Sequence, residues 1–218
     1  LTGHYRIPKV ENGKLYHKLT EEEIMFEAAN TLRMGGDLIY LVSGSGNYLG
    51  AKWLQSILGE RYKVHTTEGI YKSSHLDSTL IVIRPGLVLV NGERVNESNC
   101  PPLFDNWDKI YFHDIQPYPK EIEEFFDKVW KPISVKFSEL GVESDLDYMT
   151  TVWTGMNLFS IDQETVIVDE RQTALIRTLE SHKMTVIPLR NPNQYLMKGG
   201  FHCCSLDTVR EGTLENYF

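Results

Sequence analysis

Apolar and polar positions along the chain repeat one arrangement. Residues 38–42 form an unbroken apolar run, followed by a Gly-Ser turn, a helix-patterned stretch over about 47–58 and a short strand at 62–65. The run 87–90 leads through Asn91-Gly92 into a helix-compatible stretch and then a strand at 110–112. The run 166–168 leads through Asp169-Glu170 into a helix over 171–182 and a strand over 184–188. Two copies carry an extra strand in front: 79–83, joined through Arg84-Pro85-Gly86, and 156–161, joined across Asp162-Gln163. Pro-Gly and Asp-containing turns between apolar runs read as hairpins. The unit is therefore strand, strand, helix, strand, in about three copies, the first lacking its leading strand. One such unit cannot bury its apolar face alone, so repeats of this kind stack or close into a ring.

Two segments break the pattern. Residues 1–20 are polar and aromatic and read as a loop or arm. Residues 117–148 form an insertion in which Ile122, Phe125, Phe126, Val129, Trp130, Ile133, Phe137 and Leu140 fall at helical spacing. Pro132 is expected to kink or split that helix. The insertion is expected to pack on the body, with a lid over a pocket as the alternative.

Composition narrows the classes. The chain has 218 residues, 41% hydrophobic and 24% charged, which suits a globular protein with a real core. A net charge of −8 argues against a nucleic-acid partner, which calls for a basic patch. No apolar run approaches membrane-spanning length. Three cysteines are too few, and odd in number, for a disulfide framework, so a reducing, cytoplasmic setting is expected. The chain starts at Leu1, so a fragment or processed form is expected, read as a single catalytic domain over 1–218.

The candidate chemistry lies in Lys198-Gly199-Gly200-Phe201-His202-Cys203-Cys204 and in Ser74-His75-Leu76-Asp77. Glycines before a cysteine let the backbone turn sharply and a substrate approach the sulfur. In the repeat, Asp37 precedes the first strand of its unit, His75 and Asp77 precede theirs, and Thr150 and Thr151 lie shortly before theirs. If the units surround a common axis, these positions and Cys203 line one cavity. Cys203 would act as nucleophile and His75 as proton shuttle, a role that an imidazole suits near neutral pH. Asp37 and Asp77 would orient the imidazole or bind a cation. Two carboxylates around a thiol raise its pKa unless a cation sits among them, which points to a guanidinium substrate. Sulfur attack on its carbon gives an amidino-cysteine that an amine or water resolves. Cys204 and Cys100 read as structural or incidental, and His65, His113 and His182 as surface or core residues. A zinc site from His75, Asp77, His202 and Cys203 matches no standard ligand framework. Gly44-Ser45-Gly46-Asn47-Tyr48-Leu49-Gly50 has its last glycine one residue late for a dinucleotide loop and reads as a turn opening a helix.

With these residues the chain resembles the arginine:amine amidinotransferases, the family of glycine amidinotransferase and the inosamine-phosphate amidinotransferases. The resemblance runs from about Phe26 onward. It is carried by Leu32-Arg33-Met34-Gly35-Gly36-Asp37, Asn47-Tyr48-Leu49-Gly50 with Trp53, His75-Leu76-Asp77-Ser78-Thr79, Pro85-Gly86-Leu87-Val88-Leu89, Met149-Thr150-Thr151-Val152-Trp153, Met156-Asn157 and Gly199-Gly200-Phe201-His202-Cys203. It implies an α/β propeller of five ββαβ modules (a pentein-like fold), of which this chain holds about the last three. It also implies a triad of Cys203, His75 and Asp37, with Asp77 on the guanidinium and Arg94 on the donor's carboxylate. Thr150 and Thr151 stand where the family often has a serine pair near the substrate.

The resemblance implies no cofactor or metal. The partners it implies are L-arginine and an amine acceptor, without nucleic acid or membrane, and with a homodimer as one option. Departures bear on the acceptor. Animal glycine amidinotransferases carry Asn and Met at the positions of Lys72 and Ser74, so Ser74 is expected to widen the pocket for an amine bulkier than glycine. Lys198 replaces the first of three family glycines. The expected reaction is transfer of the amidino group from arginine to an amine, releasing ornithine. A guanidine hydrolase such as arginine deiminase is the alternative enzyme, and a non-catalytic relative the alternative class.

Overall fold

The computed structural model describes residues 6–11, 14–71, 75–139, 151–192, 194–209 and 215–218. It shows an α/β chain divided into two units, Leu1–His113 with Asp207–Phe218, and Asp114–Leu206. The first unit opens with an antiparallel hairpin of β1 (Arg6–Glu11) and β2 (Lys14–Leu19), with Glu11 opposite Lys14. The loop or arm expected over 1–20 is thus corrected. The signal was Asn12-Gly13, a strong two-residue hairpin sequence set between strand-compatible segments.

Two sheets of one topology follow. In the first, β3 (Thr31–Met34) pairs antiparallel with β4 (Asp37–Leu41), which pairs parallel with β5 (Lys63–Thr67) across helix α1 (Tyr48–Leu58). The leading strand that the sequence reading left out of this copy is β3. Gly35-Gly36 turns it into β4, with Gly35 at φ 62°, a conformation glycine adopts without steric cost. In the second sheet, β6 (Leu80–Arg84) is antiparallel to β7 (Leu87–Asn91), and β7 is parallel to β8 (Asp108–Phe112). Its crossover holds a 3-10 turn, Pro102–Phe104, in place of the expected helix. Pro101 and Pro102 explain the difference, since neither can donate a helical hydrogen bond.

All of β7 is buried, as its continuous apolar run requires for the central strand of a mixed sheet. One core joins both sheets through Met34, Ile39, Leu41, Leu76, Leu80, Val88, Val90 and Phe104. Each such side chain contributes about 1.5–3 kcal/mol on burial. Leu76 matters for function because it is wholly buried and lies beside His75.

The second unit repeats the topology. A short β9 (Phe159–Ser160) is antiparallel to β10 (Thr165–Asp169), which is parallel to β11 (Thr185–Leu189). The expected strand over 156–161 shortens because a 3-10 turn, Val152–Met156, occupies its start. The insertion forms α2 (Lys120–Glu139), ahead of β9, and α3 (Thr173–Ser181) bridges β10 and β11. Helix α2 runs through Pro132 as one element, at the cost of the hydrogen bond that Lys128 C=O would accept. Of its apolar stripe Phe126 is buried, whereas Phe125, Val129 and Ile133 stay exposed. A last turn, α4 (Gln194–Met197), precedes the cysteine segment.

Candidate active site

His75 occupies the first unit in a strained backbone conformation, φ 70° and ψ 115°, at the entrance of the 3-10 turn Leu76–Ser78. A non-glycine residue there must be held by its surroundings. Three contacts do so. Leu76 is anchored in the core, the His75 N–H donates to Asn30 Oδ1 at 2.8 Å, and His75 Nε2 meets Glu27 Oε1 at 2.8 Å. Glu27 caps a 3-10 turn, Ala28–Asn30, that ends in Asn30 and leads into β3. Their spacing of three residues puts both side chains on one side of a tight turn.

The carboxylate found at His75 is Glu27, whereas Asp37, expected there, lies elsewhere. Asp37 Oδ1 instead meets His65 Nε2 at 2.6 Å. The register explains this. Asp37 lies opposite Lys63 and Ile39 opposite His65, so 37 and 65 are diagonal neighbours on one face of the β4–β5 pair. His65, expected as a surface or core residue, is half-buried and pairs with a carboxylate.

Asp77 is buried within the turn that follows His75. Arg94 lies beside the same turn: its Nη1 donates to Ser78 O at 3.2 Å, Ser78 Oγ at 3.1 Å and Thr79 Oγ1 at 2.8 Å. Its guanidinium carbon is 3.7 Å from the Tyr71 ring centroid, a cation–π contact. Burial pushes the guanidinium below its ordinary pKa, against the opposing pull of Tyr71 and Glu93, and it stays charged. Ser74 lies outside the described residues, as does Lys72.

In the second unit Cys203 is exposed on the turn 201–204. Its N–H donates to Asn157 Oδ1 at 3.0 Å, and the Phe201 N–H donates to Asn157 O at 2.9 Å. Both glycines have steric reasons. A Cβ on Gly199 would come within 2.7 Å of Cys203 Cβ, and one on Gly200 within 2.5 Å of Asn157 O. Lys198 has φ 58°, a left-handed backbone conformation that glycine adopts without steric cost. Cys204, read as structural or incidental, sits in the same turn and is exposed. Thr151 Oγ1 caps the turn Val152–Met156 by accepting from Trp153 N–H at 3.3 Å. Thr150 lies outside the described residues.

Cys100 belongs elsewhere. It lines a cavity of about 280 Å³ with Trp107, Lys109 and Tyr111, which includes none of the candidate residues. Burial pushes its thiol pKa up, with Lys109 pulling the other way, so it is poorly suited to act as a nucleophile. In the glycine-rich loop, Asn47 caps α1 by accepting from Gly50 N–H at 2.9 Å, which bears out the turn-and-helix reading. Among the described residues no group of three or more His, Cys, Asp or Glu is placed to hold a metal ion. No helix of the described residues is long and apolar enough to cross a membrane.

The first unit thus holds a carboxylate-paired imidazole, and the second holds an exposed cysteine on a fixed turn. No protein-family profile matches the chain. Individual proteins do. The inosamine-phosphate amidinotransferase 1 of Streptomyces glaucescens is 44% identical over 92% of this chain and 51% of its own length. The L-arginine:L-lysine amidinotransferase of Pseudomonas savastanoi pv. phaseolicola is 33% identical over 91% of this chain and 48% of its own. Among solved structures, the inosamine-phosphate amidinotransferase StrB1 from Streptomyces griseus matches with a TM-score of 0.73 at 44% identity, covering 91% of this chain and 51% of that one. The chain belongs with the amidinotransferases. It spans about half the length of the curated relatives it matches.

Proposed function

We infer that the protein transfers the amidino group of L-arginine to an amine acceptor through an amidino-cysteine on Cys203. The observation that carries this reading is the His75–Glu27 pair at 2.8 Å, in a chain with an exposed Cys203 and 44% identity to an amidinotransferase. The Cys203 thiolate attacks the guanidinium carbon, and the C–N bond to the ornithine nitrogen breaks. His75 supplies the proton that lets ornithine leave as a neutral amine. The acceptor amine then attacks the amidino carbon, His75 takes its proton, and the C–S bond breaks to return the thiolate. Glu27 fixes the imidazole and stabilises its protonated form, the role first expected of Asp37. Asp77 binds the guanidinium and Arg94 the donor's carboxylate, a match of forked donors to carboxylate. Thr150, Thr151 and Ser74 line the substrate. The shared topology of the three sheets, one antiparallel and one parallel pairing in each, supports reading them as three modules of a five-module propeller.

The acceptor is an amine bulkier than glycine. Ser74, where animal glycine amidinotransferases carry Met, supports this, as does the likeness to enzymes named for inosamine phosphate. The test is mass spectrometry of the full-length protein incubated with arginine. A gain of about 42 Da on Cys203, one added amidino group, is expected, and Cys203→Ser should abolish both it and turnover. Release of ornithine with a new guanidino compound supports transfer, whereas citrulline alone would show that water is the acceptor and overturn it.

A further inference from the structure

Two asparagines outside the proposed chemistry repeat one device. Asn30, with no exposed surface, accepts the backbone N–H of His75 on Oδ1 at 2.8 Å. Asn157, 3% exposed, accepts the backbone N–H of Cys203 on Oδ1 at 3.0 Å. The partners are 45 and 46 residues apart, so neither bond is a local turn. Both amides have reasons to stay put. Asn30 Nδ2 donates to Ser45 Oγ at 3.0 Å and Ser43 Oγ at 3.3 Å, which fixes the amide plane. A Cβ on Gly46 would come within 2.8 Å of that Nδ2, so only glycine leaves it room. Asn157 also holds Phe201 N–H with its own carbonyl, and Gly200 lies flush against it.

We propose that Asn30 and Asn157 are positioning residues that hold the backbones of His75 and Cys203, so that imidazole and thiol leave the chain in fixed directions. The inference rests on the roles proposed above for His75 and Cys203. Each asparagine acts through the main chain of the reacting residue. His75 needs such a hold, because its φ of 70° relaxes readily once the N–H is released. A displacement of about 1 Å at a reacting group costs roughly 10²-fold in rate.

The test uses the full-length protein with Asn30→Ala, Asn157→Ala and the corresponding Asp variants, which keep an acceptor oxygen. Amide hydrogen exchange, kcat, KM for arginine and Tm are measured. Asn157→Ala should speed exchange at Cys203 about tenfold or more and leave His75 unchanged, with the reverse for Asn30→Ala. Each should lower kcat about tenfold or more while KM for arginine stays within about threefold. The Asp variants should keep slow exchange and recover kcat, measured across a range of pH to offset the charge added beside His75 or Cys203. If an alanine variant does not fold, the Asp variants and Gly200→Ala decide. The latter should push the turn off Asn157 and reproduce the loss at Cys203. Unchanged exchange and kcat in the variants, with arginine-dependent mass gain intact in the wild type, would sink the clamps alone. No mass gain in the wild type would sink the functional reading and the catalytic part of this one.

Discussion

Glu27 and Asp37 separate two kinds of carboxylate–histidine pair. The Asp37–His65 contact ties neighbouring strands of one sheet, and both side chains are mostly buried there. The Glu27–His75 contact ties two 3-10 turns and leaves 44% of the histidine side chain exposed, so that the ring is open to a substrate. An imidazole that shuttles protons needs both a fixed tautomer and an accessible nitrogen. Glu27→Gln keeps the shape and removes the charge, and is expected to lower kcat about 10²-fold or more. Asp37→Asn is expected to leave kcat/KM near the wild-type value while lowering Tm. Steady-state kinetics on the two variants discriminate, and the opposite ranking would return the orienting role to Asp37. Lys198 shows a different residue-level compromise, since its left-handed backbone carries a cost of about 1–2 kcal/mol that glycine avoids.

At the scale of elements, the start of α1 and the approach to Cys203 are both fixed by polar side chains. Asn47 is 1% exposed and uses both ends of its amide. Oδ1 accepts from Gly50 N–H and Met25 N–H, and Nδ2 donates to Thr20 O and Glu23 O, both at 2.7 Å. Glu21 takes the Tyr48 and Leu49 N–H groups, placing a negative charge at the helix start, where the macrodipole favours it. The segment entering α1 is thereby stitched to the stretch leading to Glu27. Asn47→Ala removes a cap worth about 1 kcal/mol and strands further buried groups at about 1–3 kcal/mol each. A fall in stability of about 3 kcal/mol or more is expected by denaturant unfolding, and a loss no greater than an ordinary cap would refute the stitch. In the second unit Arg171 grips buried Asp169 at the end of β10 and donates to Asn191 O at 2.9 Å. This secures the segment between β11 and α4, the helical turn that precedes the cysteine segment.

For the whole molecule, the proposed reaction needs groups from both units. Residues that act as one catalytic set lose far less in combination than the sum of their single losses. His75→Ala and Cys203→Ala are each expected to remove most turnover, and the double variant to be no worse than the poorer single one. Additive losses in kcat/KM would mean that the two residues serve separate events.

Much of the fold was legible because strand and turn signals are local. The apolar runs around β4, β7 and β10, the Pro-Gly and Asp turns, and the capped start of α1 each follow from a few adjacent residues. The misses were also local in origin: β3 is short and ends in Gly35-Gly36, and the second crossover is broken by prolines. Cys203 and His75 stood out by residue type and neighbours, whereas their partners did not. Glu27 and Asn30 are ordinary residues whose contacts appear only when distant turns pack together, and Asn157 carries no mark in its motif of the bond it makes to Cys203. The sequence by itself determined the repeated unit, its turns and the residues that are candidates for chemistry, because periodicity and residue type are written along the chain. Only the tertiary structure decided which carboxylate meets which histidine, because a strand register and two packed turns, set by burial, choose between Asp37 and Glu27.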